Sequence, residues 1–252
     1  MMSELYDRIG SGYSHFRRPD PRIAAAVVRA LGDCESIVNV GAGAGSYEPK
    51  APGVVAVEPS IAMIRQRPPG SAPVVQASAT DLPFGDGAFE AALAVLTVHH
   101  WPDRPRGLAE LRRVARDLVV ILTWDPDAPG FWLVDYFPEL VESDRAIFPT
   151  LADLRHALGP VRAAPLPIPH DCVDGFLGAY WRRPHAYLDA GVRGAISGFA
   201  KLADVGPGLA RLRHDLSSGA WMKRYGEMLQ WPDVDLGYRL VIAGRPVDHL
   251  TL

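Results

Sequence analysis

Residues 36–46 read Ser36-Ile37-Val38-Asn39-Val40-Gly41-Ala42-Gly43-Ala44-Gly45-Ser46. A short apolar, β-branched run of this kind suits a strand buried on both faces. The glycines that follow permit a tight turn and let a ligand approach the backbone. A short helix is expected after the turn, its first N–H groups free to meet a polar or anionic group.

The pattern repeats outward. Gly53–Ser60 (GVVAVEPS) is a second run, and Glu58 closes it 17 residues after Gly41. An acidic side chain at that strand end can accept hydrogen bonds from both ribose hydroxyls. Residues 73–78 (PVVQAS), 89–98 (FEAALAVLTV) and 117–124 (DLVVILTW) continue the series. Helices are expected between them. Asp20 caps a helix over 20–32 that carries Pro21 in its first turn and stops at Gly32. Ser60 caps the next, Asp103 caps 104–116, and Thr150 with Asp153 forms a capping box before a helix ending at Gly159. Strands alternating with helices predict a doubly wound α/β fold, with its ligand crevice at the carboxyl ends of the strands.

The tail departs from this rhythm. Residues 161–168 (VRAAPLPI) and 237–244 (GYRLVIAG) read as two more strands, making seven. Between them lies a stretch far longer than an ordinary connection. Thirteen of the 22 aromatic residues fall in 131–232, so this stretch is expected to form a lid over the strand ends. The expected organisation is 1–35 as N-terminal flap and first helix, 36–170 as core, 171–236 as helical lid insertion and 237–252 as the returning final strand.

Composition sets outer bounds. A 252-residue chain with 48% hydrophobic and 22% charged residues has enough apolar material for one substantial core. The net charge of −3 lacks the basic excess of a general nucleic-acid binder, so no nucleic-acid partner is expected. Two cysteines, Cys34 and Cys172, cannot build a disulfide framework or a four-Cys zinc site. No metal site is expected. No apolar run reaches a membrane span, and residues 1–16 do not read as a signal peptide, so a cytoplasmic location is expected.

Taken in order, VNVGAGAGSYE, VVAVEPS, QASATDLPFGDGAFEAALAVLTVHHW and ELRRVAR resemble the successive motifs of class I S-adenosylmethionine-dependent methyltransferases. The resemblance is to the group that includes the ubiquinone and menaquinone methyltransferases, and it covers roughly residues 36–124. It implies a Rossmann-like, mostly parallel seven-stranded sheet with the helical lid inserted before an antiparallel last strand. It implies S-adenosyl-L-methionine as cofactor and S-adenosyl-L-homocysteine as product. Gly41, Gly43 and Gly45 would then hold the methionyl part, Glu58 the ribose, and Met63 the adenine. Ser78 and Ala79 would edge the adenine, and Thr97 would reach the methionine portion. The chain departs from the family at Asn39 and Ser78, where acidic residues are usual; Asp81 is an alternative to Ser78.

Methyl transfer from a sulfonium is an in-line displacement, helped by holding the nucleophile in line within a dry pocket. A base is needed only where the nucleophile must lose a proton. His99 and His100 follow the fourth strand, and imidazole titrates near neutrality. Strand alternation lets only one of two neighbours face the crevice, and similar enzymes favour His99. The resemblance also implies an N-terminal flap that brings Tyr13 to the cofactor and Arg17 to a carboxylate. Trp124, Trp132, Tyr136, Tyr180 and Trp181 are candidate linings of a pocket for a small apolar or aromatic acceptor. The competing readings are an NAD(P)-dependent oxidoreductase, a non-catalytic S-adenosylmethionine-binding regulatory protein, and an RNA or protein methyltransferase.

Overall fold

The computed structural model describes residues 17–244. The first helix, α1 (Pro21–Leu31), begins where the Asp20 carboxylate accepts the Arg22 N–H and ends at Gly32, whose φ of 59° suits glycine. Then come β1 (Ser36–Val40), β2 (Gly53–Val57), α2 (Ile61–Ile64), β3 (Val74–Val75), β4 (Phe89–Val95), α3 (Arg104–Val114) and β5 (Ala115–Trp124). The second half holds α4 (Pro138–Arg145), α5 (Leu151–Leu158), β6 (Val161–Pro165), β7 (Ile168–Pro169), α6 (Ala190–Gly194), α7 (Gly206–Ser218), α8 (Ala220–Tyr225), β8 (Asp233–Val234) and β9 (Tyr238–Gly244).

Seven strands form one sheet in the order β3-β2-β1-β4-β5-β9-β6. β9 runs antiparallel to both β5 and β6, and the remaining pairings are parallel. This is the doubly wound, Rossmann-like sheet expected from the strand pattern. Side chains alternate between its faces with the period of two. Ile37, Leu93, Val120 and Leu240 pack with Ile23 and Val27 of α1. Val38, Ala92, Ile121 and Val241 pack on the other face with Leu108 and Leu111 of α3 and Leu154 of α5.

Two local expectations change. No helix follows the glycine turn: residues 41–52 cross from β1 to β2 in turns. Pro49 and Pro52 lack N–H donors and disfavour helical backbone before them, and Tyr47 has a φ of 59°. The third strand contracts to Val74–Val75, on the sheet's edge.

The covering layer draws on two stretches. Trp132, Leu133, Tyr136, Phe137 and Leu140 join Tyr187, Ile196, Phe199, Leu212 and Trp221 in a single apolar cluster beside the sheet. The layer therefore uses residues ahead of the expected 171–236 insertion. β7 and β8 pair as a separate two-stranded antiparallel ribbon. Among the described residues no helix is long and apolar enough to cross a membrane. Cys34 and Cys172 carry free thiols.

Candidate active site

The glycine turn is pinned to the neighbouring strand. Gly41 and Ala42 both donate backbone hydrogen bonds to the Val57 carbonyl, at 2.8 and 3.0 Å. Gly41 has a φ of 71° and Gly43 of 52°, left-handed values that favour glycine. Space is equally restrictive at Gly41, where a Cβ would stand 2.1 Å from Thr97 Oγ1. A Cβ at Gly43 would meet Met63 Cε at 3.4 Å. The turn thus forms a tight cradle in which the Thr97 side chain leaves no room for a Cβ at position 41.

Glu58 closes the cradle. Its carboxylate accepts the Gly43 N–H at 2.8 Å and the Ser60 N–H at 2.9 Å. Burial pushes its pKa up, while those two N–H groups and the Arg67 charge oppose the rise. Behind the turn, Arg67 pairs with Glu48 at 2.7 Å, the two side chains 4% and 7% exposed. Asn39 donates to the same Glu48 at 3.3 Å. Sequence reading missed this ion pair: Glu48 ends the glycine-turn motif, but Arg67 lies outside every motif and 19 positions away.

These groups surround a first cavity at the ends of β1, β2 and β4. Gly41, Gly43, Glu58, Met63, Ser78, Ala79 and Thr97 all line it, as do Asn39, Tyr47 and Trp101. Gly45 is not on its wall; it backs onto Arg67. Asp81 is exposed and lines neither cavity described here. The Ser78 hydroxyl shares a 2.8 Å hydrogen bond with Thr80.

A second cavity adjoins the first. Arg17, Leu96 and His100 line both. Its wall is largely apolar and includes Trp124, Phe131, Phe148, Phe176, Leu140 and Tyr238. Trp124 is thus on the wall, its Nε1 anchored to the Leu236 carbonyl at 2.9 Å. The other four expected linings are elsewhere. Trp132 is buried in the lid cluster and donates to the Trp181 carbonyl at 2.7 Å. Trp181 is buried and donates to the Ile168 carbonyl at 3.0 Å. Tyr136 bonds Asp215, and Tyr180 packs under the Arg183 guanidinium. Each ring satisfies its polar atom or π-face within the layer instead of facing the cavity. Tyr13 lies outside the described residues. Arg17 is held by Asp174, with Nε 2.8 Å from Oδ1.

His99 and His100 sit in a short 3-10 turn (Val98–His100), because β4 ends at Val95 and Leu96 takes a φ of 50°. Strand alternation therefore does not sort them. Both rings turn inward, with centroids 3.8 Å apart. His99 stacks on Phe148 at 3.8 Å and lines the second cavity alone; His100 stands at the junction. Burial holds both rings neutral, with His100 lowered to about 3 and His99 well below the usual imidazole range.

Several of the arginines around α3 have partners within the fold. Arg113 bonds Glu110, Asp86 and the Leu82 and Phe84 carbonyls, Arg116 bonds Glu90, and Arg104 bonds the Ile147 carbonyl. Among the described residues no group of three or more His, Cys, Asp or Glu could hold a metal ion.

A family model described as a methyltransferase domain matches residues 38–122. A solved structure from Anabaena variabilis, described as a methyltransferase from an antibiotic biosynthesis pathway, is 35% identical. It superposes with a TM-score of 0.82 over 91% of this chain and 99% of that one. An S-adenosylmethionine-dependent methyltransferase from Thermotoga maritima shares the fold at 14% identity, with a TM-score of 0.58 over 98% of this chain and 100% of that one. Among curated proteins, 2-methyl-6-phytyl-1,4-hydroquinone methyltransferase 2 of rice (Oryza sativa subsp. japonica) is 33% identical over 67 residues. That stretch is 27% of this chain and spans only 19% of the rice enzyme's length. The glycine turn and the buried Glu58 carboxylate, which line one cavity at the strand ends, fit the family's cofactor, S-adenosylmethionine. With likeness to the Anabaena protein running through nearly the whole of both chains and the methyltransferase model spanning β1 to β5, this chain belongs to the class I S-adenosylmethionine-dependent methyltransferases.

Proposed function

We propose that the protein transfers a methyl group from S-adenosylmethionine to a small apolar or aromatic acceptor. The observation that carries this reading is the pair of adjoining cavities, one around the glycine cradle and one walled by aromatics, with Arg17, Leu96 and His100 common to both. The relatives' descriptions agree with a small-molecule acceptor: an antibiotic pathway for one and a hydroquinone for the other. The pairing of Arg113 and Arg116 with carboxylates beside α3 weighs against an RNA acceptor.

Bound S-adenosylmethionine would supply an electrophilic methyl group on a sulfonium. Glu58 would accept the ribose hydroxyls on lone pairs not used by Gly43 and Ser60. Met63, Ser78 and Ala79 would flank the adenine, and Gly41, Gly43 and Thr97 the methionyl part. His100, at the junction, would accept a hydrogen bond from the acceptor's nucleophile and hold it in line. A ring with a pKa of about 3 is a poor general base at neutral pH, so this contribution is orientation more than proton removal. His99 would orient the acceptor from deeper in the second cavity.

Calorimetric titration with S-adenosylmethionine, S-adenosylhomocysteine and NADH tests the cofactor. Transfer of labelled methyl from S-adenosylmethionine to a panel of phenols and hydroquinones tests the acceptor class. Binding of both adenosyl ligands, no binding of NADH and label on at least one phenol are expected. Binding of NADH alone would return the chain to the oxidoreductase reading. Cofactor binding without transfer to any acceptor would favour a regulatory protein.

A further inference from the structure

Among the described residues, one carboxylate lines the second cavity. Asp144, near the end of α4, lines it among Phe131, Leu140 and Phe148. Its side chain is 14% exposed, and a carboxylate in such surroundings is costly unless paired. Lys201 supplies a partner, with Nζ 3.4 Å from Oδ1. Burial pushes the Asp144 pKa up, and Lys201 opposes the rise. The other oxygen, Oδ2, has no hydrogen-bond partner among the described residues. Room beside it is kept by Gly198: a Cβ there would stand 4.0 Å from Oδ2 and 3.2 Å from Leu140 Cδ2.

Charge balance narrows what this oxygen can receive. Lys201 offsets Asp144, and Asp174 offsets Arg17. Both histidines are neutral, and burial raises the Tyr238 hydroxyl, so it too is neutral. The described wall is therefore balanced without a ligand charge, and a cationic acceptor would add an unmatched positive charge in an apolar space. A neutral donor adds none.

Resting on the reading of this cavity as the acceptor site, we propose that Asp144, held by Lys201, is a specificity-determining residue whose Oδ2 accepts a hydrogen bond from a neutral hydroxyl on an aromatic acceptor. An acceptor without a donor there would leave the carboxylate oxygen buried and unpaired, which is how a polar group in an apolar pocket discriminates.

The test uses the full chain saturated with S-adenosylhomocysteine and three probes: 2-naphthol, 2-methoxynaphthalene and 2-naphthylmethylammonium. Calorimetry is expected to show 2-naphthol binding roughly tenfold or more tighter than the ether, with the ammonium weaker than the naphthol. Asp144→Ala should collapse the naphthol preference while S-adenosylhomocysteine still binds. The isosteric Asp144→Asn should shrink it and serves if the alanine variant does not fold. A naphthol preference unchanged in these variants, or an ammonium binding tighter than the naphthol, would overturn the proposal and leave the acceptor site standing. Failure of all three probes to bind the loaded wild-type protein would overturn the acceptor-site reading itself, and this proposal with it.

Discussion

The Tyr47 hydroxyl donates a 2.8 Å hydrogen bond to Asp174, 127 positions away in the chain. Tyr47 belongs to the turn that forms the cradle, and Asp174 to the covering layer. The same carboxylate accepts Arg17 Nε at 2.8 Å, and the Asp20 N–H donates to the Tyr47 hydroxyl at 3.2 Å. One carboxylate, 1% exposed, thus ties the cradle, the segment ahead of α1 and the lid together.

Removing that tie should cost stability. Tyr47→Phe is expected to lower unfolding free energy by about 1–2 kcal/mol, and Asp174→Ala by about 3 kcal/mol, because the latter removes a buried carboxylate that accepts from both Tyr47 and Arg17. The double variant should cost little more than Asp174→Ala alone. Urea unfolding of the four proteins measures this; simple additivity would show that the two residues act separately.

Glu58→Ala removes the carboxylate and leaves the Gly43 and Ser60 N–H groups without their partner. Affinity for S-adenosylhomocysteine should drop by ~1–3 kcal/mol. Titration calorimetry reads this directly, and an unchanged affinity would remove Glu58 from the cofactor site.

Gly41→Ala meets two penalties, a left-handed backbone and a Cβ 2.1 Å from Thr97 Oγ1. Gly70→Ala meets only the first, since at its φ of 83° nothing lies within 4 Å of the added Cβ. Thermal melting should show Gly70→Ala costing about 1 kcal/mol and Gly41→Ala clearly more. Thr97→Ala added to Gly41→Ala should restore part of the difference.

Trp132 and Phe148 separate packing from acceptor contact. Trp132→Phe should lower the melting temperature, having lost its bond to the Trp181 carbonyl, with little effect on aromatic probes. Phe148→Ala should weaken those probes, because its ring lines the cavity and stacks on His99. Equal effects of both on probe affinity would contradict the assignment of Trp132 to the lid interior.

The buried histidines make stability depend on pH. Their folded-state pKa values lie below the unfolded value near 6.5. Above 6.5 both states are neutral and the rings make no difference. As pH falls from about 6.5 toward 3, the unfolded chain binds protons that the folded one does not, and stability is lost. Urea midpoints measured from pH 7.5 to 4.5 should fall, and less steeply for His100→Gln. An identical slope in the variant would mean that His100 takes up its proton over the same pH range in the folded and unfolded chains.

The chain's local order was enough to determine the sheet and most of the first cavity's wall. Strands, turns and Glu58 follow one another within about twenty residues, so strand period, glycine spacing and the order of the runs specify where each strand end points. The helix expected after Gly45 failed for a reason also present locally, the prolines at 49 and 52. The wall of the second cavity was decided only by the tertiary structure. Trp132 and Phe148 are both aromatic residues in the covering stretch, yet one is packed inside the lid and the other faces the cavity. Asp144 and Lys201 meet across 57 positions, and Tyr47 and Asp174 across 127. No periodicity encodes such meetings. They depend on how the lid's helices close-pack against the sheet, and that packing settles which rings find neighbours and which are left facing empty space.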